Sequence, residues 1–194
     1  YPFQGHTIDL RVSSLPTLHG EKIVVRILNF SRERPGLAVL GYEPDDRAKL
    51  VQAIAQPHGL ILMTGPTGSG KTLAYALPVL QLLMATAASR DEAPKKRITQ
   101  VLVLVPTREL ATQVSDVLRD LARPLTQSIK VGTVFGGVSI NPQMMSLRSG
   151  ADVVVATPGR LLDIVDHNAL NLSHVQHLVL DEADRLLDLG FAEE

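Results

Sequence analysis

Two short groups of residues in this chain have the types and spacing that phosphate chemistry needs. The first is Gly65-Pro66-Thr67-Gly68-Ser69-Gly70-Lys71-Thr72, which keeps the full G-x-x-x-x-G-K-[ST] spacing of a phosphate-binding loop. Glycines let such a backbone curl so that successive N–H groups face phosphate oxygens. A helix that starts directly behind the loop adds unpaired N–H donors and its dipole. Lys71 is then placed to reach the β- and γ-phosphates, and the Thr72 hydroxyl to ligate Mg²⁺. The alternative is a Gly/Ser turn that matches by accident. The second group is Asp181-Glu182-Ala183-Asp184, directly after the apolar run His177-Leu178-Val179-Leu180. Two carboxylates at the carboxyl end of a buried strand are what an ATP-binding loop needs opposite it: Asp181 for the metal, Glu182 for the attacking water. An acidic helix start, favoured by the dipole alone, is the competing explanation. Together the groups predict a nucleotide·Mg²⁺ site with Lys71, Asp181 and Glu182 catalytic and Thr72 and Asp181 on the metal.

The elements that must hold these residues are legible too. Leu60-Ile61-Leu62-Met63 reads as the strand leading into the loop, and the apolar segment behind Thr72 as a helix to about Met84, bent or ended early by Pro78. Four further strands are expected at Val101–Val105, Lys130–Phe135, Asp152–Ala156 and Val175–Leu180. The first, third and fourth are continuous enough for parallel strands buried on both faces. An amphipathic helix with Leu110, Val114, Val117, Leu118 and Leu121 on one side follows the first of them. Shorter helices follow at Pro142–Leu147 and Gly159–Asp166. Strand and helix in alternation give an α/β class, a doubly wound, mostly parallel sheet.

Upstream, Ile8–Val12 and Lys22–Leu28 are β-like around the turn-rich Ser13–Gly20, so residues 1–28 read as a β-hairpin appendage. Residues 29–43 read as a linker, and residues 44–194 as the main domain. That domain opens with a helix carrying Pro44, Asp45 and Asp46 in its first turn and Leu50, Val51 and Ile54 on one face. The helix is stopped by Pro57-His58-Gly59.

The chain has 194 residues, 45% hydrophobic and 20% charged, with a formal net charge of -1. That balance gives no sign of bulk polycation binding, and any nucleic-acid contact must come from a local patch. Lys95-Lys96-Arg97 is one such patch, although a charged run in a polar loop is usually solvated surface. No cysteine is present, which rules out disulfides and thiolate metal sites. No stretch approaches the ~18 apolar residues of a membrane span, and a soluble cytoplasmic protein is expected.

From Thr67 onward the chain resembles the first RecA-like domain of a DEAD-box RNA helicase, closest to the bacterial RhlE-type branch. The resemblance rests on Thr67–Thr72, Pro106-Thr107-Arg108-Glu109-Leu110-Ala111, Gly136-Gly137, Thr157-Pro158-Gly159-Arg160 and Asp181-Glu182-Ala183-Asp184, in that order. Phe135–Met145 is particularly RhlE-like. It implies that Gly65, Thr67, Gly68, Ser69, Gly70, Lys71 and Thr72 bind ATP. It also implies that Pro106, Thr107, Arg108, Gly136, Gly137, Thr157, Gly159 and Arg160 grip single-stranded RNA by its backbone, without sequence preference. Arg108 and Arg160 suit phosphate but can equally pair with carboxylates, Glu109 being the nearest to Arg108.

Residues 7–72 resemble a different family, the ATPases of type II secretion and type IV pilus assembly. The stretches concerned are Ile8–Lys22, Leu40–Asp45 and Pro57–Thr72. That likeness implies a hexameric ring and makes Arg11 and Arg26 candidates for phosphate contact. The two resemblances meet at Thr67–Thr72, so the sequence reads as a chimera. Neither pattern is complete. Residues 30–64 lack the glutamine motif of the helicases, Gln52 and Gln56 standing in no matching context. The sequence reaches Glu194 before a Ser-Ala-Thr motif and before a second RecA-like domain with its arginine finger. The expectation is a chain that binds ATP and RNA, unwinds nothing alone, and has an incomplete, weakly stable sheet.

Overall fold

Backbone pairing decides where these apolar runs become strands. A computed structural model describes residues 2–3, 6–7, 9–17, 20–28, 42–56, 58–66, 68–88, 97–125 and 128–188. The chain divides into two compact units, Tyr1–Arg34 and Pro35–Glu194. In the first, β1 (Pro2–Phe3) pairs with β2 (His6–Thr7), and β3 (Asp9–Thr17) runs antiparallel to β4 (Gly20–Leu28). The register runs from Asp9↔Leu28 to Thr17↔Gly20. The turn-rich stretch after Val12 is thus mostly strand. Pairing along its whole length satisfies alternate N–H and C=O groups of the strand, and Pro16, which has no N–H to give, sits one position from the end. The Arg11 and Arg26 side chains and residues 29–41 of the expected linker lie outside what is described.

The second unit begins with α1 (Pro44–Ile54), with Pro44 in its first turn beside Asp45 and Asp46. None of its residues is buried. Residues 58–66 follow without regular structure, and here an expectation fails. Leu60-Ile61-Leu62-Met63 is not a strand: Leu60 is 92% and Leu62 80% exposed. Composition supplies an apolar run, but a strand needs a ladder partner, and these residues pair with no strand among those described. Behind the loop, α2 (Lys71–Ala88) runs through Pro78 for ten more residues instead of ending early. Pro78 costs a hydrogen bond, and burial of Ala76, Val79, Leu80 and Leu83 offsets it.

The remaining elements are β5 (Val101–Leu104), α3 (Arg108–Ala122), β6 (Val131–Val134), α4 (Ile140–Leu147), β7 (Val153–Ala156), α5 (Pro158–Asp166), β8 (His177–Leu180) and α6 (Ala183–Asp188). The strands form a four-stranded parallel sheet in the order β6-β7-β5-β8. Period-two alternation sorts its side chains to two faces. Val101, Val103, Val131, Val153 and Val155 meet α2 and α3 on one face. Leu102, Val134, Val154 and Ala156 meet Leu147, Leu161 and Ile164 of α4 and α5 on the other. Close approach of α4 to the sheet needs Gly132, where a Cβ would lie 2.8 Å from Leu147 Cδ2.

β8 departs from the both-faces-buried expectation. Among the described strands it is bonded to β5 alone, and Leu178 and Leu180 are 58% and 51% exposed. Its position at the sheet edge, rather than its sequence, sets this exposure. Arg97 of the basic run also has a structural role. It forms an ion pair with Asp152 and donates to the Ser128 carbonyl at 2.6 Å, at the amino end of the sheet. Lys95 and Lys96 lie outside the described residues.

Candidate functional site

Register puts the motif residues on one edge. Leu104, Val134, Ala156 and Leu180 lie in line across the four strands. The residues that follow them are Pro106–Arg108, Gly136-Gly137, Thr157–Arg160 and Asp181-Glu182, so all four groups emerge at the carboxyl ends of parallel strands. That edge is where open α/β sheets bind ligands.

The loop has the backbone that a phosphate cradle requires. Gly68 and Gly70 adopt φ of +84° and +85°, a left-handed region that side chains resist. At Gly65 an added Cβ would come within 2.7 Å of Ser69 Oγ. Lys71 Nζ donates to the loop's own carbonyls, Gly65 O and, at 3.1 Å, Pro66 O. The ammonium is therefore held against the loop it is meant to serve. Thr67 lies outside the described residues.

Asp181 is buried at the end of β8. Its Oδ1 accepts the Glu182 N–H at 3.0 Å, and its Oδ2 accepts the Tyr75 hydroxyl at 2.8 Å. Tyr75 stands one turn beyond Lys71 on α2, three residues after Thr72 and so on the same side of the helix. The Tyr75 hydroxyl thus ties Asp181 to the first turns of the helix that carries Thr72. A hydroxyl and a carboxylate are hard oxygen donors of the kind that fit Mg²⁺, which takes one or two protein oxygens and completes its shell with phosphates and water. The described residues hold no cluster of three or more His, Cys, Asp or Glu that would suit a metal on its own. Burial first, then the Asp181 charge and the bond to it, push the Tyr75 pKa far above its ordinary value. Glu182 adopts φ of +51°, and its Oε2 accepts from Arg185 at 2.8 Å, an arrangement that raises the Arg185 pKa. As the structure stands, Glu182 is an ion-pair partner.

The three other groups are knitted together. Thr107 caps α3, its hydroxyl accepting the Leu110 N–H at 3.3 Å. The Arg108 guanidinium lies 6.0 Å from the Phe135 ring centroid and 3.5 Å from Glu109, so the carboxylate pairing that competes with phosphate contact is present. Arg160 is also paired internally. It donates to Asp163 at 3.2 Å and to the Val138 carbonyl at 2.9 Å, and its remaining Nη1 is buried without a partner among the described residues. Thr157 starts α5 without capping it by its side chain. Gly136 and Gly159 have open space where a Cβ would stand.

Sequence reasoning missed two residues here. Tyr75 is one; a lone phenol on an otherwise apolar helix face, four residues after the lysine, was the available signal. Gln143 of α4 is the other. Its Oε1 accepts the Phe135 N–H at 2.9 Å, and its Nε2 donates to Phe135 O at 3.1 Å. An amide so placed latches the Gly136-Gly137 turn.

Comparison with known proteins follows the same geometry. The DEAD/DEAH box helicase family matches residues 45–194. DEAD-box ATP-dependent RNA helicase 5 of Arabidopsis thaliana is 49% identical over 127 residues, 66% of this chain and 23% of that protein. ATP-dependent RNA helicase DeaD of Escherichia coli K12 is 42% identical over 159 residues, 80% of this chain and 23% of that protein. Among solved structures, the yeast DEAD-box splicing factor Prp28 superposes with a TM-score of 0.58 at 35% identity, covering 67% of this chain and 30% of that one. A DEAD box protein from Methanococcus jannaschii gives 0.55 at 37% identity, covering 67% and 32%. The chain thus spans about a quarter of the length of these curated relatives. The family match begins at residue 45, so residues 45–66 fall inside it. The seam at Thr67–Thr72 and the secretion-ATPase resemblance of residues 7–72 gain no support from these findings. No described helix is long and apolar enough to cross a membrane.

Proposed function

The chain belongs to the DEAD/DEAH box helicase family, and on that premise we propose that it is the ATP- and RNA-binding first RecA-like domain of an ATP-dependent RNA helicase. One observation carries this reading. The register of the sheet brings Asp181 and the segments that follow β5, β6 and β7 to the same edge, and the Tyr75 hydroxyl ties the helix behind the loop to Asp181.

In this reading the loop N–H groups and Lys71 hold the triphosphate, which draws the ammonium off the Gly65 and Pro66 carbonyls. Thr72 and Asp181 hold Mg²⁺, and the ion when bound neutralises charge on the phosphates. RNA lies along Pro106–Arg108, Gly136-Gly137 and Thr157–Arg160 and is held by backbone N–H groups and arginine, so base identity is not read. Binding is favoured over turnover because Glu182, the expected base, is engaged by Arg185 and has to be released before it can orient water. A cytoplasmic location goes with this reading. Lys71→Ala is expected to weaken binding of a fluorescent ATP analogue by roughly ten- to a hundredfold. An affinity unchanged by that substitution would remove the loop from the nucleotide site.

A further inference from the structure

We propose that Tyr75 is a positioning residue for the metal end of the nucleotide site, fixing the Asp181 carboxylate against the helix that carries Thr72. The proposal rests on the nucleotide reading above. Tyr75 lies three residues after Thr72 and four after Lys71, so the three side chains share one face of α2. From there its hydroxyl reaches across 106 residues of chain to Asp181 Oδ2 at 2.8 Å.

A buried carboxylate takes its orientation from its donors. Asp181 is 9% exposed, with the Glu182 N–H on one oxygen and the Tyr75 hydroxyl on the other. The first donor belongs to the adjacent residue and moves with it. Tyr75 alone of the two comes from a different element, so it sets the carboxylate against α2. A phenylalanine would fill the same space among the apolar side chains packed on α3 and the sheet. It would leave Asp181 one donor short, buried, and free to turn from Thr72. Partners of this kind, one bond removed from the ion, typically change metal affinity by about ten- to a hundredfold.

The test is Tyr75→Phe, with binding of a fluorescent ADP analogue followed as Mg²⁺ is titrated, and again in EDTA. The expected result is a Mg²⁺ midpoint raised roughly tenfold or more, with the affinity in EDTA close to that of the unchanged chain. The electron paramagnetic resonance signal of Mn²⁺ in the ADP complex gives a second readout and should report weaker binding by the variant. A Mg²⁺ midpoint that does not move overturns the proposal, as does a loss of equal size in EDTA, which would make Tyr75 a packing residue. If the unchanged chain binds no nucleotide with or without metal, the nucleotide reading itself fails and this inference falls with it.

Discussion

The Tyr75 hydroxyl donates to Asp181 Oδ2 at 2.8 Å and so ties the first turns of the helix behind the phosphate loop to the end of the edge strand β8. Loop and carboxylate meet through this side chain although the apolar run ahead of the loop has no strand pairing among the described residues.

That bond has a pH signature. An unfolded tyrosine ionises near pH 10, roughly, while Tyr75 in the folded chain holds its proton well beyond that. Its contribution to stability is therefore complete below about pH 10. Above that, the unfolded chain releases a proton that the folded chain keeps, and stability falls as pH rises. In metal-free protein one tyrosine should ionise only as the chain unfolds, seen as tyrosinate absorbance tracking the loss of circular dichroism. Tyr75→Phe should abolish that coincident step; a step that survives the substitution belongs to another residue.

Gln143 predicts a selective loss. Gln143→Ala frees the Phe135 N–H and C=O and unlatches the Gly136-Gly137 turn. Affinity for a single-stranded RNA should drop about five- to tenfold, near 1 kcal/mol, with ATP-analogue affinity in the absence of RNA unchanged. Fluorescence anisotropy of labelled RNA measures the first and nucleotide titration the second. Equal losses in both would show general unfolding instead.

At the other end of the sheet the expected effects are on stability alone. Asp152→Ala strips the partner from Arg97 and the acceptor from the Lys130 N–H, at 2.8 Å. Truncating one side of a partly buried pair that also serves the backbone should cost about 2–4 kcal/mol in a urea melt. Arg97→Ala should also destabilise, and should leave the salt slope of RNA binding as it was. A shallower slope would return the basic run to the RNA interface.

Gly150 is a second structural point. Its φ is +76°, and a Cβ there would lie 2.0 Å from the Arg97 carbonyl oxygen. Gly150→Ala should therefore cost roughly 2–3 kcal/mol through strain and displacement together. A chain with the parent's melting temperature would mean that Arg97 has room to shift.

Much of this was legible in the sequence. Val101–Leu104 and Val153–Ala156 are β-branched or leucine in near-unbroken runs, and such runs are buried wherever they pair, so both strands and their order along the chain could be read directly. The phosphate loop was legible because glycine, lysine and threonine at fixed spacing state a geometry. Leu60–Met63 was misread because an apolar run specifies burial or pairing only when a neighbour exists. The exposure of Leu178 and Leu180 depends on which strand lies at the edge, which is a property of the whole sheet. Tyr75 and Gln143 escaped notice because each acts through a bond to a residue in another element, and no local pattern encodes that.

The central claim is that one edge of this sheet binds ATP and RNA together. It is tested most directly by titrating a fluorescent ATP analogue with Mg²⁺ into the chain, with and without a saturating single-stranded RNA. Coupled binding is expected, with nucleotide affinity rising severalfold when RNA is present and RNA affinity rising by the same factor with nucleotide, as linkage requires. Two affinities that ignore each other would contradict a shared site, and the helicase-domain reading with it.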